Sequence, residues 1–431
     1  MPQRPIIVKN GRLIDPVQGF DGPADLLLAD GRVAAVAGPG AIPAEDRLVF
    51  DAQGLWVLPG LIDMHVHLRD PGHEHKEDLV SGLAAAAAGG FCAVLAMPNT
   101  SPPVDQADLV KSLVARGAQA GGARLMQSAA LTKGRLGQEL TEYDALKRAG
   151  AAALTDDGSW VADAAVMRRA LDYAHVCDLL PLSHAQEPTL APGGLIHEGR
   201  VSTRLGLPGQ PAQVEEMAIF RDLALVRLTG KPLHICHVST ASGLALIRAA
   251  KAEGLPVSCE TAPHYLFLTD EDVGEYDANF KINPPLRAAA DREALRQGLA
   301  DGTIDVVATD HAPHSSLEKE VEFSDAAFGA IGLETALPLT LELLRALALP
   351  PSRLAEALSA QPAKLLKLPG GTLRPGAPAD VTLVDPQEAF VYRVAESLSK
   401  SRNSPFDGRR FQGRAAAVIV DGEIRWRRPT L

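Results

Sequence analysis

The sequence predicts an α/β protein, a (β/α)8 TIM-type barrel carrying a small β-sandwich formed by both chain ends. Three observations lead there. Short β-rich pieces separated by Gly, Asp and Pro turns occupy both termini. Between them, apolar strands alternate with helix-like stretches, the pattern of βα units around a parallel sheet. The length of 431 residues suits one large barrel plus a small domain.

In chain order, residues 5–15 (PIIVKNGRLID), 25–37 (DLLLADGRVAAVA) and 47–59 (RLVFDAQGLWVLP) read as strands, with a hairpin signal at Asp30-Gly31. The same texture returns at 379–387 (ADVTLVDPQ) and 415–428 (AAAVIVDGEIRWRR), with a second Asp-Gly turn at Asp421-Gly422. The two ends are therefore expected to pair into one discontinuous domain, residues 1–57 plus 370–431, around a barrel of residues 58–369. Eight candidate barrel strands follow: LIDMHV (61–66), FCAVLAMP (91–98), ARLMQSAAL (123–131), AAALTD (151–156), LLPLSH (179–184), PLHICHV (232–238), LPVSCET (255–261) and IDVVATD (304–310). Helical stretches such as KEDLVSGLAAAAAGG and VEEMAIFRDLALVRLTG intervene, with apolar positions at i, i+3 and i+4 and Gly near several ends. Two more helices, about 333–347 and 351–360, complete the outer layer.

With 42 basic and 53 acidic side chains the net charge is −11, which disfavours nucleic acid and anionic membrane surfaces as partners. The hydrophobic share of 46% supports a large core, and since aromatics are only 4% its volume must come from Ala, Val, Leu and Ile. The apolar run from Gly82 to Met97 is Ala/Gly-rich and shorter than the roughly 20 residues of a membrane span. The N-terminal stretch has no apolar segment of the secretory kind, which predicts a cytoplasmic protein. Cys92, Cys177, Cys236 and Cys259 form no C-x-x-C pair and read as small apolar thiols.

Chemistry concentrates at the C-terminal strand ends, where barrels of this class carry their sites. His65 and His67 end the first strand and, two residues apart, share a side. Asp156-Asp157 ends the fourth strand, His184 the fifth, His237 the sixth and Asp310 the eighth. Singly, each reads as readily as a cap, a turn residue or a core imidazole. Together they suit a divalent metal with an open coordination position for water, and the set exceeds what one tetrahedral ion needs. Two ions sharing a bridging carboxylate would use it fully. Among the other histidines, His175 and His234 fit apolar patterns, His73, His75 and His197 fall in loops, and His264 and His311 lie near the barrel mouth. His311 should face away from its neighbour Asp310, in an outer supporting role.

At this point the residues reach a family. PGLIDMHVHLRDPG (59–72), AMPNTSP (96–102), LTDDG (154–158), HICHVST (234–240), CETAPHYLFLT (259–269), KINPPLR (281–287), GTIDVVATDHAPH (302–314) and FGAIGLETALPL (328–339) resemble the bacterial type I dihydroorotases of the amidohydrolase superfamily. The resemblance implies Zn2+, two per chain: one held by His65, His67 and Asp310, the other by His184 and His237, with Asp157, preferred over Asp156, as the bridge. Related hydantoinases and allantoinases bridge with a carbamylated lysine, and LTDDG offers none. The resemblance also implies Asp310 as the catalytic proton carrier and His67, Arg69, Asn99, Asn283, His314, Phe328 and Gly329 as substrate-binding residues. Arg69 would give a bidentate fork to a substrate carboxylate; the competing reading pairs it with Asp70 or Asp63. Asn283 could instead serve only the turn before Pro284-Pro285. Residues 315–327 read as a mobile loop over the site. The expected activity is the reversible cyclisation of N-carbamoyl-L-aspartate to L-dihydroorotate and water, in de novo pyrimidine synthesis. A dihydropyrimidinase or allantoinase activity, and a non-catalytic partner of aspartate transcarbamoylase, are the rival readings. A homodimer, with possible association with aspartate transcarbamoylase, is the expected assembly.

Overall fold

The computed structural model describes residues 4–429. The N-terminal part contributes β1 (Ile6–Asp15), β2 (Phe20–Ala29), β3 (Arg32–Ala37), β4 (Leu48–Asp51) and β5 (Trp56–Pro59). The central part supplies β6 (Leu61–Val66), β7 (Phe91–Ala96), β8 (Arg124–Ala129), β9 (Ala151–Thr155), β10 (Leu180–Ser183), a two-residue pair β11 (Ile196–His197) and β12 (Gly209–Gln210), β13 (Leu233–Ile235), β14 (Val257–Thr261) and β15 (Val306–Val307). Last come β16 (Val381–Val391), β17 (Arg410–Val420) and β18 (Glu423–Arg427).

The strands of the two ends form one hydrogen-bonded sheet in the order β18-β17-β16-β5-β1-β2-β3, with β4 added against β1. Its two halves join where β5 pairs parallel with β1 (Arg12 beside Trp56) and antiparallel with β16 (Leu383 beside Val57). Both Asp-Gly signals are hairpin turns: Asp30, Gly31, Asp421 and Gly422 all take the positive φ that a type I′ turn requires. The sandwich is thus a single folded sheet. Val8, Leu26 and Leu28 from one half and Leu383, Ala417 and Ile419 from the other share its core.

The eight barrel strands run in the order β6-β7-β8-β9-β10-β13-β14-β15, all parallel. Inside, Ile62, Met64, Leu95, Met126, Leu182 and Val306 fill the lumen. On the outer side, Val94, Leu154 and Ile235 pack with helix residues such as Leu83, Ala170 and Ile247. The helices are capped as their sequences suggest. Asp78 and Ser81 form a capping box at Leu79–Gly89, which ends on a left-handed Gly90, and Asp163 and Thr240 cap Ala164–Val176 and Ala241–Ala252. No helix of the described residues is long and apolar enough to cross a membrane.

The seam between β15 and β6 is closed by polar groups. β15 has two residues, far fewer than the apolar run 304–310 suggested, because the chain turns away at Thr309 and Asp310, the latter at φ 48°. Closure passes instead to Asp63, whose carboxylate accepts from the Thr309 amide at 3.0 Å and hydroxyl at 2.5 Å, and to His67, whose amide donates to the His311 carbonyl at 2.8 Å. The extended apolar run reads as strand, but its last residues spend their backbone groups on aiming a side chain.

Candidate active site

His65, His67, Asp157, His184, His237 and Asp310 all project from the C-terminal end of the barrel and are all buried, none more than 7% exposed. A β-bulge makes the first pair work. The β6–β7 register slips between Asp63 and Val66, so that His65 enters the site although Ile62 and Met64 already point into the lumen. His237 and Asp310 hold φ of 35° and 48°, and Arg69 holds 61°, conformations that non-glycine residues rarely adopt and that cluster at functional sites.

The six side chains form two groups joined by one carboxylate. His65 Nε2 and His67 Nε2 lie 3.6 and 3.2 Å from Asp310 Oδ1. Asp157 reaches both groups: Oδ1 is 3.3 Å from His65 Nε2 and 3.5 Å from His184 Nδ1 and from His237 Nε2, while Oδ2 is 3.5 Å from His67 Nε2. Atoms bonded to one tetrahedral ion at 2.0–2.1 Å are about 3.3 Å apart, so these spacings match the edges of a coordination shell. His184 Nδ1 and His237 Nε2 are closer, at 2.8 Å, a hydrogen-bond distance that a shared ion would widen by about 0.5 Å. His65 Nε2 and Asp157 Oδ1 are buried without any hydrogen-bond partner, which is costly unless something else satisfies them. The residues therefore fit a metal.

Three of the four candidate ligand imidazoles are oriented by their other nitrogen. His65 Nδ1 lies 2.6 Å from Glu260 Oε1, His67 Nδ1 2.8 Å from Asn99 Oδ1, and His184 Nε2 2.7 Å from Gln186 Oε1. Since those oxygens only accept, these nitrogens are the donors and the opposite ring nitrogens face the cluster, where an entering cation would take the place of any proton on them. Burial alone would strip the proton from His65, but Asp157, Glu260 and Asp310 outweigh it and hold its pKa well above the ordinary value. A cation entering the cluster meets the same negative field. Burial would raise Asp157 and Asp310, but the histidines prevail, holding Asp157 well below the usual carboxylate range and Asp310 at about 2.

Asp156 is accounted for elsewhere. Its carboxylate accepts from the Thr132 amide at 3.0 Å and from the Thr132 hydroxyl, so it braces the loop after β8. Arg135 Nη2 donates to the Asp157 carbonyl at 2.6 Å and fixes that turn from outside.

Arg69 is half-buried and desolvated by the protein around it, which lowers its pKa to about 10, and among the described residues no carboxylate stands within ion-pair distance of it. Asp70 instead takes a bidentate pair with Arg116 at 2.6 and 2.8 Å, and Asp63 serves Thr309. The guanidinium rests on the Pro313 carbonyl (Nε, 3.1 Å) and beside His314 Nε2 (Nη2, 3.3 Å). Burial and the Arg69 charge lower His314 to about 3, so it is neutral at physiological pH. Asn99 spends its oxygen on His67 and keeps its amide group for another partner. The Asn283 amide donates to Gln186 Oε1 at 2.8 Å, which ties it to the His184 support; the peptide before Pro284 is cis. Phe328 is half-buried with Lys281 Nζ 4.6 Å from its ring centre. Gly329 is pressed against the site: a Cβ there would stand 2.6 Å from Ala312 Cβ and 3.3 Å from His314 Cδ2.

Residues 315–327 form a packed segment, with a helical turn at Ser316–Lys319 and Phe323 buried beside Ile196, Val201 and Val273. Its polar content suggests a solvated loop, but Phe323 anchors it in a small core of its own. His311 faces away from the cluster, with Nδ1 accepting from the Gly332 amide at 3.2 Å and Nε2 3.4 Å from Glu77. Glu260 and Gln186 escape a reading of the sequence. Glu260 sits in the apolar run LPVSCET, and a charged residue inside such a run was the signal available.

Comparison with known proteins follows the same lines. Residues 54–242 match the family described as dihydro-orotase-like. The chain is 51% identical over 418 residues to a dihydroorotase of Desulfotalea psychrophila (strain LSv54 / DSM 12343), covering 97% of this chain and 98% of that one. It is 50% identical over 421 residues to a dihydroorotase of Anaeromyxobacter dehalogenans (strain 2CP-C), covering 97% of each. Among solved structures it superimposes with TM-score 0.88 on an L-hydantoinase (dihydropyrimidinase) from Arthrobacter aurescens, at 27% identity over 98% of this chain and 96% of the other. A dihydropyrimidinase from Brevibacillus agri NCHU1002 shares the fold with TM-score 0.81, at 23% identity and covering 97% and 94%.

Proposed function

The chain belongs to the dihydroorotase family, and from that premise we propose how its site performs the reversible cyclisation of N-carbamoyl-L-aspartate to L-dihydroorotate and water. The protein is a cyclic amide hydrolase. We infer that His65, His67 and Asp310 would hold one Zn2+ and His184 and His237 a second, with Asp157 shared between them. Bound there, such ions would polarise the amide carbonyl and make water nucleophilic at neutral pH.

The remaining work falls to the protein's own groups. Arg69, with neutral His314 beside it, takes the substrate carboxylate as a charge-assisted fork. The free amide group of Asn99, Asn283, Phe328 and Gly329 complete the wall around the ring. In the hydrolytic direction Asp310, ionised because its pKa is held at about 2, accepts a proton from the attacking water as oxygen bonds to the amide carbon. It returns that proton to the ring nitrogen as the carbon–nitrogen bond breaks. Cyclisation reverses each transfer and assigns the enzyme to de novo pyrimidine synthesis.

One observation carries the substrate assignment: a half-buried guanidinium at the site that, among the described residues, has no carboxylate within ion-pair distance and rests only on the Pro313 carbonyl and beside His314. The fold similarity to hydantoinases makes hydantoin the competing substrate, but hydantoin has no carboxylate for Arg69. Turnover of dihydroorotate, hydantoin and allantoin side by side, with elemental analysis of metal per chain, tests the proposal; hydantoin preferred over dihydroorotate would reject it. The family resemblance also implies a homodimer and leaves association with aspartate transcarbamoylase open; sedimentation velocity with and without that enzyme tests both.

A further inference from the structure

The segment Ser397–Ser404, which lies outside the barrel in sequence, crosses its mouth. Ser399 Oγ donates to the Glu77 carboxylate, the Lys400 amide donates to Glu77 Oε1 at 3.2 Å, and Ser401 Oγ donates to the Lys76 carbonyl at 2.7 Å. These bonds tie the strap to the loop that follows His67 and Arg69. From the strap one side chain, Asn403, 3% exposed, goes deeper. Its Oδ1 accepts from the His314 amide at 3.1 Å, and its Nδ2 donates to the Ala312 carbonyl at 2.9 Å and the Gly329 carbonyl at 3.0 Å. Its own carbonyl accepts from the Ile331 amide at 2.9 Å.

Every hydrogen-bonding position of this carboxamide except one acceptor lone pair is thereby spent on two loops, which are also joined by the Ala312 amide donating to the Ala330 carbonyl at 2.9 Å. The first loop, Ala312-Pro313-His314, is the one on which Arg69 rests through the Pro313 carbonyl. The second is the Gly329 turn, which approaches Ala312 too closely for any side chain: a Cβ would stand 2.6 Å from Ala312 Cβ and 2.9 Å from its carbonyl. No aliphatic residue could replace these three bonds, and leaving the donors and acceptors unpaired in a buried position is costly.

We propose that Asn403 is a positioning residue of the site: by holding the His314 and Gly329 loops in register, it sets the geometry in which Arg69 and His314 receive the substrate carboxylate. The inference rests on the dihydroorotase reading above. It makes the C-terminal segment part of the binding apparatus, acting on substrate affinity and not on the proton transfers at Asp310.

The test is steady-state hydrolysis of dihydroorotate by the full-length enzyme, comparing wild type with Asn403→Ala and Ser401→Ala. Ser401→Ala loosens the strap but leaves all three Asn403 bonds. Asn403→Ala is expected to raise KM at least ten-fold with kcat within three-fold and to melt below wild type while staying folded at the assay temperature, and Ser401→Ala stays within two-fold in both constants. If Asn403→Ala does not fold, Asn403→Asp, which keeps size and the His314 acceptor but loses both donors, is held to the same criterion. An unchanged KM, or a loss confined to kcat, would overturn the inference. So would Ser401→Ala showing the same KM rise, because the effect would then belong to the strap as a whole. Absence of dihydroorotate turnover by wild type would instead overturn the functional reading, and this inference with it.

Discussion

The Nδ1 of His65 stands 2.6 Å from Glu260 Oε1, and the other oxygen of that carboxylate is 3.1 Å from His234 Nε2. Glu260 is fully buried and its pKa is driven far down, because the two imidazoles outweigh the burial that would raise it. A carboxylate placed behind a ligand histidine fixes its tautomer and raises its basicity. Glu260→Gln should therefore weaken metal retention by about 10–100-fold, read as metal per chain after dialysis against a graded chelator. Equal retention by variant and wild type would show that the pair serves packing alone.

Asp310 and His65 should separate chemistry from metal binding. Asp310→Ala is expected to keep the fold and most of the metal while kcat falls by about 10²–10⁴-fold, the usual worth of a positioned proton carrier. His65→Ala should lose metal, since it removes the imidazole whose Nε2 is a buried, unpartnered atom of the cluster. Metal analysis and turnover on the same preparations decide between them. Near-normal hydrolysis by Asp310→Ala would refute the assignment.

Arg69→Lys should raise KM for dihydroorotate by about 10–100-fold, because a fork of charge-assisted bonds worth about 1.5–3 kcal/mol becomes a point charge. Hydrolysis of a cyclic amide without a carboxylate, such as dihydrouracil, should change much less. A parallel loss on both substrates would mean that Arg69 supports the loop at Pro313 and does not read the carboxylate.

His314 gives a pH signature. Its folded pKa of about 3 lies below the unfolded value near 6.5, so below pH 6.5 the unfolded chain takes up a proton that the folded chain refuses. Its contribution is constant above pH 6.5 and is lost as pH falls toward 3, at about 1.4 kcal/mol per pH unit. His314→Gln should therefore gain on wild type as the pH is lowered from 7 to 4, measured by urea unfolding across that range. Parallel stability profiles would place His314 in a more solvated setting than the structure gives it.

Much of this protein is readable in its residues. Apolar runs bounded by turns define all eight barrel strands, and the two Asp-Gly pairs mark hairpins because only a few residue types accept two successive positive φ values. The six metal-ligating candidates are legible for a similarly local reason, that they lie at or within three residues of the C-terminal ends of five barrel strands. The tertiary structure decides what depends on distant partners. The bulge that turns His65 inward arises from pairing with β7, and what distinguishes Asp156 from Asp157 is Thr132, whose amide and hydroxyl occupy the Asp156 carboxylate. Arg69 stands without a carboxylate because Arg116, 46 residues away, occupies Asp70. Glu260 and Asn403 become part of the site only when the chain closes, since hydrogen bonds across 195 and 89 residues leave no periodicity to read.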